Sequence, residues 1–215
     1  LLARDPLLAI LVVLLFLSLA IFVAYPLFSV LLKSFQSGEG LFSLENYARF
    51  FSFRYLRSAL WNSLTVGFFT AGCSVLIGYA AAFTITRTSI PLKKVLHLIF
   101  LLPIISPPFT SALSILMLFG SNGLITRGVL GIRNYNIYGF KGVLLSQIFT
   151  FAPVAYLTLK GVLESLNPTL EDAAMNVGAR RLQTFMRVTL PLSLPGIASA
   201  FLVVLIESLA DFGNP

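Results

Sequence analysis

Five long apolar runs separated by shorter polar segments organise the chain, at about 7–32, 59–86, 95–119, 141–163 and 192–210. Crossing a hydrocarbon layer of ~30 Å takes roughly 20 apolar residues at ~1.5 Å of rise each, about the length of these runs. Backbone groups in lipid must pair within their own segment, so runs of this kind predict helices. No segment alternates apolar and polar residues as the strands of a membrane barrel do. The pattern predicts an all-α polytopic transmembrane bundle with five spans. The first run is too long for a signal peptide and lacks a convincing small-residue cleavage site, so it reads as a retained helix.

Prolines and glycines punctuate the runs. Pro103, Pro107 and Pro108 fall in the third and Pro153 in the fourth, where each removes a backbone donor and kinks the helix. Such breaks suit a solute path or simple packing, and the sequence leaves both readings open. Gly67, Gly72 and Gly78 in the second run are expected to let helices approach closely. Residues 42–57, rich in Phe, Tyr and Arg, read as an amphipathic stretch near the outer interface.

The segment between the fourth and fifth runs, from Ser165, reads SLNPTLEDAAMNVGARRLQTFMRVTLPLSLPG. Asn167 can cap a short helix with Pro168 in its first position and Glu171 and Asp172 near its positive end. Gly178 is placed to end that helix in a left-handed conformation. A second short helix is expected from about Arg180 to Val188, with Leu182, Phe185 and Met186 on its apolar face. Pro191 and Pro195 then mark re-entry into the membrane. The result would be a knob with a sharp bend; an amphipathic loop packed on its own bundle is the plainer reading.

Composition agrees with lipid as the solvent. Of 215 residues, 57% are hydrophobic and 11% charged, and the mean hydropathy is +0.92. The net charge of +7 is spread along the chain with no basic block, which argues against a nucleic-acid partner. Cys73 is the single cysteine and reads as a small buried residue. With an internal N-terminus, Arg4, Arg87, Lys93, Lys94, Lys160, Arg180, Arg181 and Arg187 lie inside, eight in all. Lys33, Arg49, Arg54, Arg57, Arg127, Arg133 and Lys141, seven in all, lie outside, so the count does not decide orientation. The dense trio Arg87, Lys93 and Lys94 favours the inner side for its loop. The chain starts at Leu1 without a methionine and stops at Pro215, so both ends read as cut.

The loop resembles the EAA motif of binding-protein-dependent importer permeases, the membrane subunits of ATP-binding-cassette (ABC) transporters. That motif runs acidic-Ala-Ala, three residues, Gly, nine residues, Ile, one residue, Leu-Pro. Here Asp172-Ala173-Ala174 is followed by Met175-Asn176-Val177 and Gly178, then after nine residues by Val188, Thr189 and Leu190-Pro191. Asp172 replaces the usual Glu and Val188 the usual Ile, both mild changes. The resemblance implies an importer permease fold in the bacterial inner membrane, with loop 163–195 on the cytoplasmic side as the coupling element. It implies that Asp172, Ala173, Ala174, Gly178, Arg180, Arg181, Val188, Leu190 and Pro191 form the contact with a cytoplasmic ABC ATPase dimer. Arg180 and Arg181 would pair with acidic groups on that ATPase, or simply be solvated loop charges. Further implied partners are a second permease half or subunit and a periplasmic solute-binding protein.

No Gly-x-x-x-x-Gly-Lys-[Ser/Thr] loop is present, so ATP is expected on the partner chain, and no cofactor on this one. Asp211-Phe212-Gly213 matches a kinase triplet but lacks every accompanying kinase motif. His97, the only histidine, has no ligand-spaced neighbours and reads as a helix-end or interfacial residue, so no metal site is expected. No nucleophile–base constellation emerges, and the chain reads as a transport subunit, not an enzyme.

Glu207 and Asp211 lie four apart, on one face of the fifth helix, with Glu207 roughly 22 Å along it from Leu192. They are candidates for the solute pathway, and an outward acidic face suits a cationic or metal-bearing solute. The alternative has Asp211 capping the helix among headgroups and Glu207 binding a neighbouring helix. The stretch Glu207-Ser208-Leu209-Ala210-Asp211-Phe212-Gly213-Asn214-Pro215 resembles the segment C-terminal to the EAA loop in ferric-iron importer permeases, often double-length chains. This chain would then be a first half lacking its final helix. Phosphonate, polyamine and thiamine permeases are similar. An ATP-independent secondary transporter or channel is a further reading; it predicts buried ion-coupling residues and inverted repeats, neither of which stands out. A membrane scaffold or sensor subunit without transport is a third.

Overall fold

In a computed structural model that describes residues 6–36, 40–132 and 135–211, five segments are long and apolar enough to cross a membrane. They are Leu7–Ser34, Arg54–Arg87, Phe109–Val129, Phe140–Ser165 and Arg181–Leu209. Arg4 and Arg133 of the charge count, and residues 212–215 of the iron-permease-like stretch, lie outside the described residues. In chain order the α-helices are α1 (Pro6–Leu19), α2 (Tyr25–Ser34), α3 (Glu45–Ser52), α4 (Arg54–Arg87) and α5 (Lys93–Ile105). Next come α6 (Pro108–Phe119), α7 (Phe140–Ser165), α8 (Thr169–Asn176), α9 (Arg181–Thr184) and α10 (Leu190–Leu209). Wider π-helical stretches fall at Ala20–Ala24, Leu124–Val129 and Phe185–Thr189. Among the described residues the only β pairing is an isolated bridge between Gln36 and Phe42. The fold is all-α and polytopic, as the apolar runs predict.

Contacts divide the chain into two compact units, Leu1–Trp61 and Asn62–Pro215. In the first, α1 and α2 join through the π stretch into one apolar rod in which no described residue is buried. After it the chain reverses: Phe35 stacks on Phe42 with ring centres 5.6 Å apart, and Asn46 Nδ2 donates to Gln36 O at 2.9 Å. The amphipathic stretch forms α3, with an exposed Glu45–Arg49 pair along its surface.

The core of the second unit is built from α4, α7 and α10, with Ala71, Ala82, Ala155, Leu159, Ala200 and Val204 buried. Lipid is as apolar as leucine, so helices in it are held by close packing and interhelical hydrogen bonds. Gly78 provides the close approach of α4 to α7: a Cβ there would lie 2.7 Å from Tyr156 N. Gly67 packs under Leu205 and Leu209, whereas Gly72, expected to pack likewise, has nothing within 4 Å of where a Cβ would stand. His97, half-buried near the start of α5, has its Nδ1 2.5 Å from the hydroxyl of the buried Tyr156. That bond pins α5 to α7.

Two predicted elements differ. The run 95–119 is two helices, broken where Ser106 (φ −83°, ψ 137°) and Pro107 (φ −58°, ψ 142°) are extended. Each precedes a proline, whose ring disfavours helical backbone in the residue before it. The 13 residues of α5 cover only ~20 Å, too little to span alone. At the other end, the expected second short helix does not stop at Val188 but runs on through Pro191 and Pro195 as one helical stretch, Arg181–Leu209. Pro191 has no N–H to give to a carbonyl one turn earlier. The π stretch Phe185–Thr189 absorbs the misfit, with Leu190 N–H reaching back five residues to Phe185 O.

Candidate functional site

The knob of loop 163–195 is one short helix with defined ends. Asn167 Oδ1 accepts from Thr169 N–H at 3.0 Å, and Pro168 already has helical angles (φ −65°, ψ −20°). Those residues are the cap and first position that the sequence predicts. At the other end Gly178 has φ +91°. Its N–H donates to Met175 O (3.0 Å) and Ala179 N–H to Ala174 O (3.1 Å), the paired bonds of a Schellman motif. A side chain at φ +91° clashes with the backbone, which is why glycine stands there. Arg180 is extended, and its N–H donates to Gln183 Oε1 at 2.9 Å, starting the next helix.

Along α8 successive residues turn by about 100°, so the two neighbouring acids diverge. Asp172 is exposed together with Ala173, Met175 and Asn176, while Glu171 points into the protein. Gly178, Arg180 and Arg181 are exposed too, and Ala174 is half-buried. Val188, Leu190 and Pro191 belong to the long final helix, so the motif spans the knob and the root of that helix.

Glu171 is the centre of a network the sequence does not reveal. Its Oε1 accepts from Arg87 Nε at 2.9 Å and from Thr189 Oγ1 at 3.0 Å. Arg87 Nη2 also donates to Leu163 O (2.9 Å) and Leu166 O (3.2 Å), carbonyls at the C-terminal end of α7 that no helical N–H reaches. The Arg87 and Glu171 side chains are 12% and 18% exposed, and Thr189 is buried. One ion pair thus joins the last residue of α4, the end of α7, the first turn of α8 and the root of the final helix. Beside it opens a groove of about 1080 Å³, walled by Leu76, Tyr79, Phe83, Met175 and Phe185.

A second polar cluster lies toward the other end of the same helices. Gln147 on α7 is 3% exposed. Its Oε1 accepts from Thr70 Oγ1 (3.0 Å) and Ser208 Oγ (2.6 Å), and its Nε2 donates to Ser208 O (3.2 Å) and Asp211 Oδ2 (3.1 Å). Of the two candidate pathway acids, Asp211 is therefore half-buried and bound to α7, while Glu207 is exposed on the surface of α10. Neither lines the groove beside the Arg87–Glu171 pair. Among the described residues no group of three or more metal-ligating side chains assembles.

A helical membrane protein with a capped knob ahead of α10 is the class that fold and site define. Residues 74–213 match the family of binding-protein-dependent transport system inner membrane components, and the chain belongs to that family. It is a multi-pass membrane protein of that transport family. It is 34% identical over 198 residues, 90% of its length, to the ferric transport system permease protein FbpB of Actinobacillus pleuropneumoniae. It spans only 29% of that relative's length. It is also 28% identical over 205 residues to the spermidine/putrescine transport system permease protein PotB of Haemophilus influenzae, covering 90% of this chain and 71% of that one. Among solved structures, a bacterial alginate ABC transporter in complex with an alginate pentasaccharide-bound periplasmic protein shares the fold, with TM-score 0.79 at 20% identity. The match covers 98% of this chain and 75% of that one.

Proposed function

We propose that this chain forms one half of the transmembrane pathway of an ATP-driven importer, with α8 docked into a separate cytoplasmic ATPase dimer. The observation that carries this reading is the exposed Asp172-Ala173 surface, with Ala174 half-buried behind it, held between the Asn167 cap and the Gly178 bend. Two small residues let a partner surface approach closely, and the exposed acid offers it a charge. Arg180 and Arg181, exposed at the start of the next helix, extend that surface. ATP is bound and hydrolysed on the partner, a second permease half completes the pathway, and a periplasmic binding protein delivers the solute from the far side.

The cargo is ferric iron, carried by binding protein. The likeness to the ferric transport permease supports this. A polyamine is the competing cargo, favoured by the likeness to the spermidine/putrescine permease. The test is reconstitution in liposomes with the cognate ATPase and binding protein. ATP hydrolysis and uptake of labelled iron should both rise with iron-loaded binding protein and stay flat with spermidine. Failure of any ATPase to co-purify would sink the importer reading; stimulation by spermidine alone would sink only the cargo.

A further inference from the structure

Most of the α8 surface is free of the rest of the protein. Asp172, Ala173, Met175 and Asn176 are exposed, and the open groove runs past Met175 on one flank. Apart from the chain entering and leaving it, the polar contacts that join α8 to the spans pass through one carboxylate oxygen, Glu171 Oε1. That oxygen receives one bond from α4 and one from the root of the final helix. The α4 donor, Arg87, is at the same time fixed to the end of α7. Besides acting through its chain connections and its packing on the root of the final helix, a displacement of α8 therefore reaches three spans through this joint.

Those three spans are also tied to one another elsewhere. Thr70 and Arg87 on α4 lie 17 positions apart, so the Gln147 cluster sits about 25 Å along the helices from the joint. Between the two, α4 meets α7 backbone to backbone at Gly78, and Tyr79 Oη bonds Ser193 Oγ at 3.0 Å across to α10. Helices bonded at two levels and packed between them move as one body. The region able to give is the joint to α8, not the triad behind it.

From this geometry we infer that Arg87, Glu171 and Thr189 are positioning residues that pass ATPase motion from α8 into the α4–α7–α10 body, and that they take no part in holding the ATPase. The inference rests on the reading of α8 as the docking element. Arginine suits the role because its fork reaches a carboxylate and two carbonyls at once, which a lysine ammonium does not.

The experiment compares wild type with Arg87→Gln, Glu171→Gln and Thr189→Val, each purified with its ATPase and reconstituted with binding protein. Three quantities are read: ATPase retained per permease, ATP hydrolysed, and solute carried per ATP. Arg87→Gln should retain the ATPase at the wild-type ratio while solute per ATP falls by about 10-fold, the size of an ordinary coupling energy. Arg87→Lys should restore part of the loss. Should Arg87→Gln fail to fold, Thr189→Val, which removes one hydroxyl, carries the same test with a smaller expected drop. Unchanged solute per ATP in all three variants overturns the inference, as does loss of the ATPase itself from a folded variant. If wild type retains no ATPase, it is the importer reading that falls.

Discussion

Arg87 Nε and Glu171 Oε1, 84 residues apart in the chain, meet at 2.9 Å where three spans and a short helix come together. Few exposed pairs contribute measurably to stability, but this one is mostly enclosed and its removal strands other groups. In Arg87→Ala the Glu171 carboxylate loses a partner and the Leu163 and Leu166 carbonyls lose their donor. Breaking a fully buried pair costs ~3–5 kcal/mol; with both side chains partly exposed, about 2–3 kcal/mol is expected here. For a chain of this size that lowers the melting midpoint by roughly 5–10 °C, measurable by thermal denaturation in detergent.

Gly178 tests the bend. A β-branched residue at φ +91° is strained by ~1–2 kcal/mol, so Gly178→Val should unsettle the knob while Gly178→Asn, which tolerates that region, should do so less. There is open space around the position, so the effect is conformational and not steric. ATPase retained on pull-down should rank wild type, then Asn, then Val. Equal retention in all three would mean the bend is not needed for docking.

Asp172 and Glu171 should separate cleanly despite being neighbours. Asp172→Asn removes an exposed charge and should leave thermal stability within ~0.5 kcal/mol, yet weaken association with the ATPase. Titrating purified ATPase onto the variant permease measures this. Tight, unaltered binding would remove Asp172 from the docking surface.

Gly78→Ala places a methyl 2.7 Å from Tyr156 N and 2.9 Å from the Ala155 carbonyl carbon. Both are backbone atoms, so the helices themselves must part. Overpacking of this kind costs about 1–3 kcal/mol. Expression of folded protein should drop, whereas Gly72→Ala, with no neighbour to meet, should be silent.

Gln147→Leu keeps the volume of the side chain and removes all four of its hydrogen bonds. Thr70 and Ser208 are then left as buried hydroxyls, at about 1–3 kcal/mol for each group left unpaired. The second tie between α4, α7 and α10 is lost, so hydrogen exchange at the end of α10 should quicken. An exchange pattern identical to wild type would show the cluster to be redundant.

Much of the architecture is legible from the sequence because hydropathy sets helix length, and α8 is legible because Asn167, Pro168 and Gly178 are local signals. The break at Ser106 is concealed by its own residues: Pro107 and Pro108 are apolar enough to keep the run continuous. Pro191 misleads in the opposite sense, since a π stretch upstream lets a helix pass through it. The joint itself has no readable signal beyond two opposite charges at the ends of different runs. Their meeting depends on how α4 and α7 pack, and a separation of 84 positions hides that from any local pattern.

The unbroken run Arg181–Leu209 has a mechanical consequence. Its 29 residues make a shaft of about 43 Å whose root lies beside the knob and whose tip carries Glu207. Had the chain bent again at Pro191, movement at the root would have been spent in the hinge. An unbroken shaft carries it whole to the far end instead, and because α10 is bonded to α4 near its root and to α7 near its tip, the three spans travel together.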